Sequence, residues 1–446
     1  MADYQAFFKG KKITLMGLGL LGRGLGDAAF LAECGAQVLV TDKKTEAELM
    51  ESVAQLKKYP NITFHLGGHA IEDFTNCDLV IKAAGVPLDS PEIAAARKAG
   101  VPVAMSTALF AKFAIDAGAT VVGVTGTRGK TTTAHLIFHT LQQAGKNPLL
   151  GGNVRGKSTL AMLSEVEPRN IVVLELDSWQ LQGFGDLKIS PQVAVFTNLM
   201  PDHQNYYKNM DEYFADKANI FRFQKPGDTL IVGKDIEQGV REAKPSTAAK
   251  VPGGIPTDWK LHIIGEHNRD NAAFAAAALE ALGVSQQEIR AGLESFQAVE
   301  GRLQFVREVQ SVKIYNDNNA TTPEATIAAL RALHVGHPMS HIVLIIGGSD
   351  KGLPLEELAA EIQNNTSHVV LLEHPNYLGT EKLGMVLKQQ GVNFEKAADL
   401  QQALSLARSN TKEGDTILFS PAFASFGMFK NEYDRNDTFV RLVNEL

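Results

Sequence analysis

Short runs of aliphatic residues recur along the chain, and stretches with the polar and apolar spacing of amphipathic helices separate them. Strand patterns that alternate with helix patterns are typical of a parallel sheet covered by helices on both faces. The pattern therefore predicts three successive α/β units, with boundaries near residues 100 and 301. The runs that define the units lie at 12–17, 37–40 and 79–81, then at 120–125, 171–175 and 193–197, and then at 313–315, 342–346, 369–372 and 416–419.

Length and composition agree with a folded protein of several domains. The chain has 446 residues, and at about 150 residues per domain this corresponds to roughly three domains. Hydrophobic residues make up 44% and charged residues 21%, which excludes a disordered chain. The net charge of −7 argues against a nucleic-acid surface, because phosphate contacts require clustered Lys and Arg.

The sequence gives no sign of export or membrane insertion. No apolar run reaches the ~18 residues of a membrane span, and the start Met-Ala-Asp-Tyr-Gln lacks the basic and apolar regions of a signal peptide. The two cysteines, Cys34 and Cys77, have no metal-binding spacing and are expected to be small apolar fillers in a reducing compartment. We therefore expect a cytoplasmic protein.

The first glycine cluster indicates a nucleotide site. Gly17, Gly19 and Gly22 follow the first predicted strand in the pattern G-x-G-x-x-G. Asp42 ends the next strand, where an acid can hold a ribose hydroxyl. The motif does not name its nucleotide, so a nicotinamide enzyme, a binder of another nucleotide and a tight turn without a ligand all stay open.

The second glycine cluster is more specific. The segment from Gly123 to Thr133 reads G-V-T-G-T-R-G-K-T-T-T and joins a strong strand pattern to a helix pattern. It is a variant of the Walker A sequence, because five residues rather than four separate Gly123 from Gly129. Backbone N–H groups of such a loop hold phosphates, its lysine reaches the outer phosphates, and the next hydroxyl can bind Mg²⁺. ATP binding is favoured over a turn with a solvated lysine, and the expected contacts are Gly126, Thr127, Arg128, Gly129, Lys130, Thr131 and Thr132.

From this loop onward the chain resembles the ATP-dependent Mur ligases of peptidoglycan synthesis, and the related folylpolyglutamate synthetases carry a similar loop. The E-L-D-S-W-Q-L segment at 175–181 and the S-P-A-F-A-S segment at 420–425 are most similar to the branch that adds glutamate. The resemblance covers essentially the whole chain. Other segments in the family's order are G-G-N at 151–153, T-N-L at 197–199, D-H at 202–203, Y-F-A-D-K at 213–217, G-E-H-N-R-D-N at 265–271, N-D at 316–317, G-G-S-D-K at 347–351 and F-K-N at 429–431.

The resemblance implies a three-domain α/β fold and a ligase activity. A Rossmann-like domain (1–100) would bind a UDP-sugar, a central P-loop ATPase-type domain (101–301) ATP, and a Rossmann-like C-terminal domain (302–446) an amino acid. The implied reaction joins D-glutamate to UDP-N-acetylmuramoyl-L-alanine through an acyl phosphate. The implied cofactors are ATP, Mg²⁺ at two sites, and CO₂ as a lysine carbamate, and a monomer is the expected state.

The resemblance also assigns the reacting groups. Thr131 and Glu175 would hold one Mg²⁺ between the β- and γ-phosphates, and His203 would ligate a second beside the acceptor carboxylate. Lys217 lies where family members carry the carbamate, whose formation needs a neutral amine of lowered pKa and whose negative charge would help to hold magnesium. The alternatives are a structural histidine and an exposed helix lysine. Asn153 would hydrogen-bond the substrate near the reacting centre.

Further residues would bind the substrates. Asn268 and Asn271 would contact adenine, for which the alternative is a surface pair on a helix. Arg302 would meet phosphate, unless it is a simple linker charge, and Asp317 would meet ribose. The UDP-sugar contacts would be Gly19, Leu20, Leu21, Asp42, Lys43, Gly85 and Asn153, and the amino-acid contacts would be Lys351, Ser425 and Phe429.

Asn319 is the main departure from the family's pattern, because it replaces a lysine expected to meet the glutamate side chain. A hydrogen bond to a charged group contributes about 1.5–3 kcal/mol, so the lost cation matters for a dianionic amino acid. Either another cation compensates, or the enzyme takes L-glutamate or another amino acid. Asp177, in place of a serine, is a smaller departure.

Two other functional classes stay open. One is a nicotinamide oxidoreductase, which leaves Lys130, Glu175 and His203 unexplained, and the other is a non-catalytic nucleotide-binding regulator.

Overall fold

Three β-sheets organise the chain in a computed structural model, which describes residues 3–20, 22–202, 206–336 and 341–446. Each sheet follows the predicted alternation of strand and helix, so the α/β class is confirmed. The first two sheets are parallel and the third is mixed. Within the described ranges no helix is long and apolar enough to cross a membrane.

The first sheet is built from β1 (Lys12–Met16), β2 (Gln37–Asp42), β3 (Ile62–Leu66), β4 (Leu79–Lys82) and β5 (Val103–Ala104). Their order is β3-β2-β1-β4-β5, so the direction of strand addition reverses between β1 and β4. Ligands of such sheets bind in the crevice at this reversal. The helices of this region are α1 (Tyr4–Phe8), α2 (Arg23–Glu33), α3 (Met50–Leu56), α4 (Glu72–Thr75), α5 (Pro91–Lys98) and α6 (Ser106–Asp116).

The second sheet is built from β6 (Thr120–Thr125), β7 (Leu149–Gly152), β8 (Ile171–Glu175), β9 (Val193–Phe196), β10 (Thr229–Val232) and β11 (Ala249–Lys250). In the order β11-β10-β9-β6-β8-β7, β6 lies between β8 and β9, so the loops after these three strands meet at one edge. The helices that follow β6 are α7 (Lys130–Gln143), α8 (Ser178–Leu187), α9 (Met210–Lys217), α10 (Glu237–Glu242), α11 (Glu266–Ala281) and α12 (Gln286–Ser295), with short 3₁₀ helices at Leu160–Glu165 and Ala218–Ile220.

The third sheet is built from β12 (Gln304–Val309), β13 (Val312–Asn316), β14 (Ile342–Ile346), β15 (Thr366–Leu372), β16 (Glu395–Ala397) and β17 (Thr416–Phe419), in the order β12-β13-β17-β14-β15-β16. The antiparallel strand β12 was not predicted. It is an edge strand that carries Arg307 and Glu308 and is only half-buried, so it has no aliphatic run. The helices are α13 (Pro323–Gly336), α14 (Glu356–Asn365), α15 (Leu378–Gln389), α16 (Leu400–Ser409) and α17 (Glu432–Asn444).

The chain divides into two compact units. One comprises Met1–Gly253 with Ala273–Gly292, and the other comprises Gly254–Ala272 with Leu293–Leu446. In the first unit, apolar side chains of both sheets, α2 and α6 form one continuous core. In the second unit, alternate residues of β14 enter two clusters on opposite faces of the third sheet. The boundaries near residues 100 and 301 stay predictions.

The two cysteines lie within the first unit. Cys34 is half-buried and packs against its main core, and Cys77 packs against a smaller cluster beside β4 and α5. Neither forms a disulfide. These contacts agree with the expected role of small apolar fillers.

Candidate active site

The glycine turn of the second sheet connects β6 to α7. Gly126 has a φ of +147°, and a Cβ atom there would lie 2.0 Å from the Thr197 hydroxyl, so glycine is required. Gly129, with a φ of +82°, is the N-cap of α7. Backbone N–H groups therefore lie at the start of a 14-residue helix, an arrangement that favours phosphate.

The loop after β9 fixes this turn. The Thr197 hydroxyl donates to the Arg128 carbonyl at 2.6 Å, and Asn198 Oδ1 accepts from the Arg128 N–H at 2.8 Å. The Thr127 N–H donates to the Asn198 carbonyl at 3.0 Å. Sequence reasoning quoted Thr197 and Asn198 as a family segment but missed this role. Their position directly after a buried strand was the available signal.

Two lysines converge on the turn. Lys130 Nζ donates to the carbonyls of Gly126 and Thr127 at 2.9 and 3.0 Å. Lys217 Nζ, at the end of α9, donates to the same Gly126 carbonyl at 2.9 Å. The Lys130 ammonium creates a local field that attracts anions, at the position predicted for the outer phosphates of ATP.

Lys217 is buried, with 1% of its surface exposed, so the alternative of an exposed helix lysine is wrong. Burial, together with repulsion by Lys130, lowers the pKa of Lys217 well below its ordinary value. The Tyr213 ring centroid lies 4.7 Å from Nζ, and the Thr125 hydroxyl lies 3.4 Å away. The environment thus favours the neutral, nucleophilic amine that carbamate formation requires.

Glu175 ends β8 beside the turn and is 3% exposed. Asn153 Nδ2 donates to Glu175 Oε1 at 3.3 Å, and the Asn153 N–H donates to the Glu175 carbonyl at 2.8 Å. Gly152 permits this approach, because a Cβ there would lie 2.1 Å from the Glu175 carbonyl oxygen. Among the described residues no lysine or arginine forms an ion pair with this carboxylate. A buried carboxylate with one long hydrogen bond is a suitable ligand for a divalent cation.

The predicted metal ligands are only partly visible. Thr131 is half-buried in the first turn of α7, and β6 and β8, which lead to Thr131 and Glu175, are neighbours. His203 lies outside the described residues. Over the described ranges, no group of three or more His, Cys, Asp or Glu side chains is placed to hold a metal ion. Both Mg²⁺ sites stay predictions.

Asp177, the departure from the usual serine, is the N-cap of α8. Its side chain accepts from the Gln180 N–H at 2.7 Å, and the Gln180 side chain accepts from the Asp177 N–H at 3.1 Å. Asp and Ser are both favourable N-cap residues, so the substitution preserves the start of the helix.

The glycine turn of the first sheet is built differently. Asp42, at the end of β2, is 9% exposed. Its Oδ2 accepts from the N–H groups of Leu18 and Gly19 at 2.9 and 3.0 Å, and its Oδ1 accepts from the Lys44 N–H at 2.9 Å. The carboxylate therefore holds the turn itself. This arrangement weakens the nicotinamide alternative, in which the acid would hold a ribose hydroxyl.

The other residues predicted to bind a UDP-sugar lie at the same edge of the first sheet. Leu20 is 61% exposed, and Lys43 and Gly85 are exposed. Leu21 lies outside the described residues. The structure thus leaves these positions accessible to a ligand, and their contacts with UDP stay predictions.

Helix α2 joins this edge to the loop that carries Asn153. Arg23 Nε donates to the Val154 carbonyl at 3.3 Å, and the Ser158 hydroxyl donates to Asp27 at 2.6 Å. Burial raises the pKa of Asp27 to about 6, although hydrogen bonds from serines oppose the shift. The residues predicted for the UDP-sugar and for the reacting centre therefore belong to one connected network in the first unit.

The predicted adenine contacts lie on α11. Asn268 and Asn271 are each 6% exposed, so the alternative of a surface pair is wrong. Asn268 Nδ2 donates to the Ile264 carbonyl at 2.8 Å, and Asn271 Nδ2 donates to Asn268 Oδ1 at 3.1 Å. The structure brings the two amides together, and their contact with adenine stays a prediction.

Asp317, the predicted ribose ligand, follows β13 and is buried. It accepts from the Leu303 N–H at 3.0 Å and from the Ser420 hydroxyl at 2.9 Å. Burial raises the pKa of Asp317 to about 7, against the opposing effect of these hydrogen bonds. The carboxyl group thus links the loop after β13 to the loop after β17. Arg302, the predicted phosphate ligand, is exposed.

The predicted amino-acid contacts lie after neighbouring strands of the third sheet. Lys351, after β14, donates through Nζ to the Thr321 hydroxyl at 3.1 Å. Ser425, after β17, is 2% exposed, and its carbonyl accepts from the Tyr377 hydroxyl at 3.2 Å. Phe429 is half-buried. Because β13, β17 and β14 are parallel neighbours, these loops share one edge.

A buried arginine that was not predicted from the sequence connects the loops at this edge of the third sheet. Arg435 on α17 is 0% exposed and donates to Asn318 Oδ1 at 2.8 Å, to the Asn318 carbonyl at 2.8 Å and to the Phe423 carbonyl at 3.2 Å. Asn318 Nδ2 in turn donates to Asn319 Oδ1 at 3.0 Å. Burial lowers the pKa of Arg435 to about 10, so it is charged at neutral pH. Asn319 is therefore part of a network that contains a cation.

Three family models match consecutive segments of the chain. The N-terminal domain of MurD-like Mur ligases matches residues 11–105, the Mur ligase middle domain matches 124–252, and the glutamate ligase domain of Mur ligases matches 301–423. These matches follow the order of the three sheets.

Curated relatives match over the full length. The UDP-N-acetylmuramoylalanine–D-glutamate ligase of Roseiflexus sp. (strain RS-1) is 36% identical, over 97% of this chain and 98% of the relative. The ligase of the same name from Clostridium kluyveri is 32% identical, over 100% of this chain and 99% of the relative.

Solved structures share the fold. The UDP-N-acetylmuramate–alanine ligase MurC of Thermotoga maritima has a TM-score of 0.63 at 21% identity, over 98% of this chain and 99% of that chain. The MurF ligase of Thermotoga maritima, solved with ADP, has a TM-score of 0.61 at 16% identity, over 99% of this chain and 96% of that chain.

Proposed function

The chain belongs to the Mur ligase family, and we propose that it is the ATP-dependent ligase that joins D-glutamate to UDP-N-acetylmuramoyl-L-alanine in peptidoglycan synthesis. Relatives that carry this activity in their names match along the whole chain. The structural observation that carries the proposal is the convergence of Lys130, Lys217 and Glu175 at one edge of the second sheet. A catalytically silent nucleotide binder would not need a buried lysine at this turn.

The proposed reaction must bring two anions together. An oxygen of the substrate carboxylate bonds to the γ-phosphorus, the bond from that phosphorus to the bridging oxygen of ADP breaks, and an acyl phosphate forms. The amine of glutamate then bonds to the acyl carbon, the carbon–oxygen bond to phosphate breaks, and the amine proton is released. Positive charge from Lys130 and N–H groups of the turn reduces the repulsion in the first step.

We assign ATP to the second glycine turn. Lys130 and the backbone from Gly126 to Thr132 would hold the phosphates, because the loop after β9 already fixes the turn in shape. The remaining proposed contacts to the nucleotide are Asn268, Asn271, Arg302 and Asp317.

Thr131 and Glu175 would hold one Mg²⁺, and His203 would hold the other; Mg²⁺ supplies neutralisation of phosphate charge when bound. The fit rests on the burial of Glu175 and its single long hydrogen bond.

Lys217 would attack CO₂ through its neutral amine, forming an N–C bond and losing a proton. The carbamate anion would then lie beside the Lys130 cation, which favours it, and the carbamylated Lys217 would be a further ligand for Mg²⁺.

The first sheet would bind the UDP-sugar, with Gly19, Leu20, Leu21, Asp42, Lys43 and Gly85 near the nucleotide and Asn153 near the reacting carboxylate. The α2 contacts to residues 154 and 158 support one continuous site. The proposed domains are 1–100, 101–301 and 302–446. Because two of the three proposed substrates are nucleotides, we place the reaction in the cytoplasm, and we propose a monomer.

Lys351, Ser425 and Phe429 would bind glutamate at the edge of the third sheet. The cation missing at Asn319 would be replaced in part by Arg435, which polarises the Asn318 amide that donates to Asn319. If this compensation is insufficient, the preferred amino acid is L-glutamate or another amine donor.

The test is phosphate release from ATP with UDP-N-acetylmuramoyl-L-alanine and D-glutamate, L-glutamate or other amino acids in parallel. We expect release that requires both the sugar nucleotide and D-glutamate, with the product confirmed by mass. Release with L-glutamate alone would preserve the ligase chemistry and contradict the assigned stereochemistry. ATP binding without release for any amino acid would favour the non-catalytic regulator.

Asn319→Lys examines the amino-acid site separately. A restored cation should lower the KM for glutamate by about tenfold, since a hydrogen bond to a charged group contributes roughly 1.5–3 kcal/mol. Asn364→Lys, at an exposed position near the end of α14, adds the same charge and should leave this KM unchanged. An unchanged KM in Asn319→Lys would mean that Arg435 already provides full compensation.

A further inference from the structure

Lys82 is a buried lysine that none of the assigned roles uses. It is the last residue of β4, pairs with Met16 of β1, and is 1% exposed. Lysines are almost never fully buried unless an acid pairs with them. Within the described chain, no carboxylate forms an ion pair with Lys82. Burial lowers the pKa of Lys82 to about 8, while Asp186 acts in the opposite direction.

The ammonium group is held by the loop that follows it. Lys82 Nζ donates to the carbonyls of Ala83, Ala84 and Val86 at 3.4, 3.3 and 2.8 Å. These acceptors match the three N–H donors of a lysine. The chain therefore wraps around its own side chain, and the ammonium determines the shape of the loop from 83 to 86.

This loop lies against the first glycine turn. The Ala83 N–H donates to the Met16 carbonyl at 2.9 Å, and a Cβ atom at Gly17 would lie 2.9 Å from the Ala83 Cβ. The contact is at the reversal of strand order between β1 and β4, where sheets of this kind bind ligands. The loop is thus the second wall of the crevice.

The loop also offers backbone donors of its own. The N–H groups of Ala84 and Gly85 make no hydrogen bond within the described chain, and Gly85 is exposed. The N–H groups of Leu18 and Gly19, by contrast, are taken by Asp42. Successive N–H groups above a buried cation are suited to an anion.

We propose that Lys82 is a positioning residue of the sugar-nucleotide site, whose ammonium draws three carbonyls inward and leaves the Ala84 and Gly85 N–H groups for the diphosphate. The inference rests on the proposed function, which places Gly85 beside UDP. A lysine at the end of the apolar run at 79–81 was the signal in the sequence.

Lys82→Met keeps the length of the side chain and removes its donors. We expect the KM for UDP-N-acetylmuramoyl-L-alanine to rise about tenfold, with kcat and the KM for ATP within about twofold, because one hydrogen bond to a charged group is worth roughly this factor. Calorimetry should show weaker binding of UDP and unchanged binding of uridine, which lacks the diphosphate. Lys98→Met, at an exposed lysine on α5, is the charge-matched control and should resemble the wild type.

An unchanged KM for the sugar nucleotide in Lys82→Met would overturn the proposal, as would equal losses for UDP and uridine. If circular dichroism shows that Lys82→Met does not fold, Lys82→Arg is measured instead, since it keeps the charge. A changed KM for the sugar nucleotide with an unchanged KM for ATP would support the positioning role, and equal changes in the two KM values would contradict it. Failure of the proposed function is distinguishable, because the wild type would then show no turnover that depends on the sugar nucleotide.

Discussion

The two glycine turns of the first unit have similar spacing and opposite electrostatics. After β1, backbone N–H groups of Leu18 and Gly19 bind the Asp42 carboxylate. After β6, carbonyls of Gly126 and Thr127 bind the Lys130 ammonium. Glycines allow both turns to form, but the charged side chain beside each turn decides which ligand it favours. A dianionic phosphate is therefore expected at the second turn and a different mode of binding at the first.

The largest effect is expected for Lys130→Ala, which removes the cation from the second turn. Loss of the cation that is proposed to meet the outer phosphates should reduce kcat by about 10²–10³-fold, comparable to the loss of one transition-state donor. Phosphate release measures the effect, with circular dichroism to confirm folding. Lys146→Ala removes an exposed lysine after α7 and should retain wild-type turnover. Normal turnover in Lys130→Ala would contradict the phosphate role.

The next test removes the second amine from the same turn. Lys217→Ala should lower kcat by about 10²-fold or more, because the proposed carbamate anion could no longer form. Acetate or formate should restore part of the activity by entering the vacated space. Lys217→Arg places a permanent cation at this position and cannot form the carbamate, so it should be inactive and not rescued. Absence of rescue in Lys217→Ala would count against the carbamate.

Asp42→Ala examines the first turn. Without the carboxylate, three N–H groups lose their acceptor, and the free energy of unfolding should fall by about 2–4 kcal/mol. The KM for the sugar nucleotide should rise by about tenfold, and the KM for ATP should not change. Calorimetry with NAD should detect no binding to the wild type. Saturable NAD binding would restore the nicotinamide alternative.

The smallest expected effect concerns the loop beside the first turn. Lys82 has an ordinary pKa of 10.5 when unfolded and about 8 when folded, so the unfolded chain binds more protons between these values. The free energy of unfolding of the wild type, relative to Lys82→Met, should therefore increase by about 1–3 kcal/mol as the pH rises from 8 to 10. Denaturant titrations at both pH values measure it. A decrease would mean that the ammonium, not the amine, is favoured by the fold.

The sequence predicted the α/β class and the second turn because aliphatic runs and glycine spacing are local signals. It missed β12, whose half-buried residues alternate with charges at a sheet edge. It also could not predict that Asp42 turns back onto Leu18 and Gly19, because that contact joins residues 24 and 23 positions apart.

Contacts between residues far apart in the sequence also made parts of the candidate site unpredictable. The environment of Lys217 depends on its contact with Gly126, 91 positions away, so motif reasoning could assign the residue but not its surroundings. Arg435 and Asn318 are 117 positions apart, and no spacing in the sequence connects them. Lys82 is the exception, since a lysine that ends an apolar strand was visible in the sequence.

Arg435 has a consequence for the order in which the protein becomes functional during its synthesis. It reaches back from α17 to residues 318 and 423, so the guanidinium that holds Asn318 and Phe423 together arrives only with the last helix. Lys217, the later of the second glycine turn's two lysines to be made, precedes it by about 220 residues, and at 5–20 residues per second the interval is roughly 10–40 s. A nascent chain would thus complete the second glycine turn well before Arg435 is available to hold Asn318 and Phe423 together.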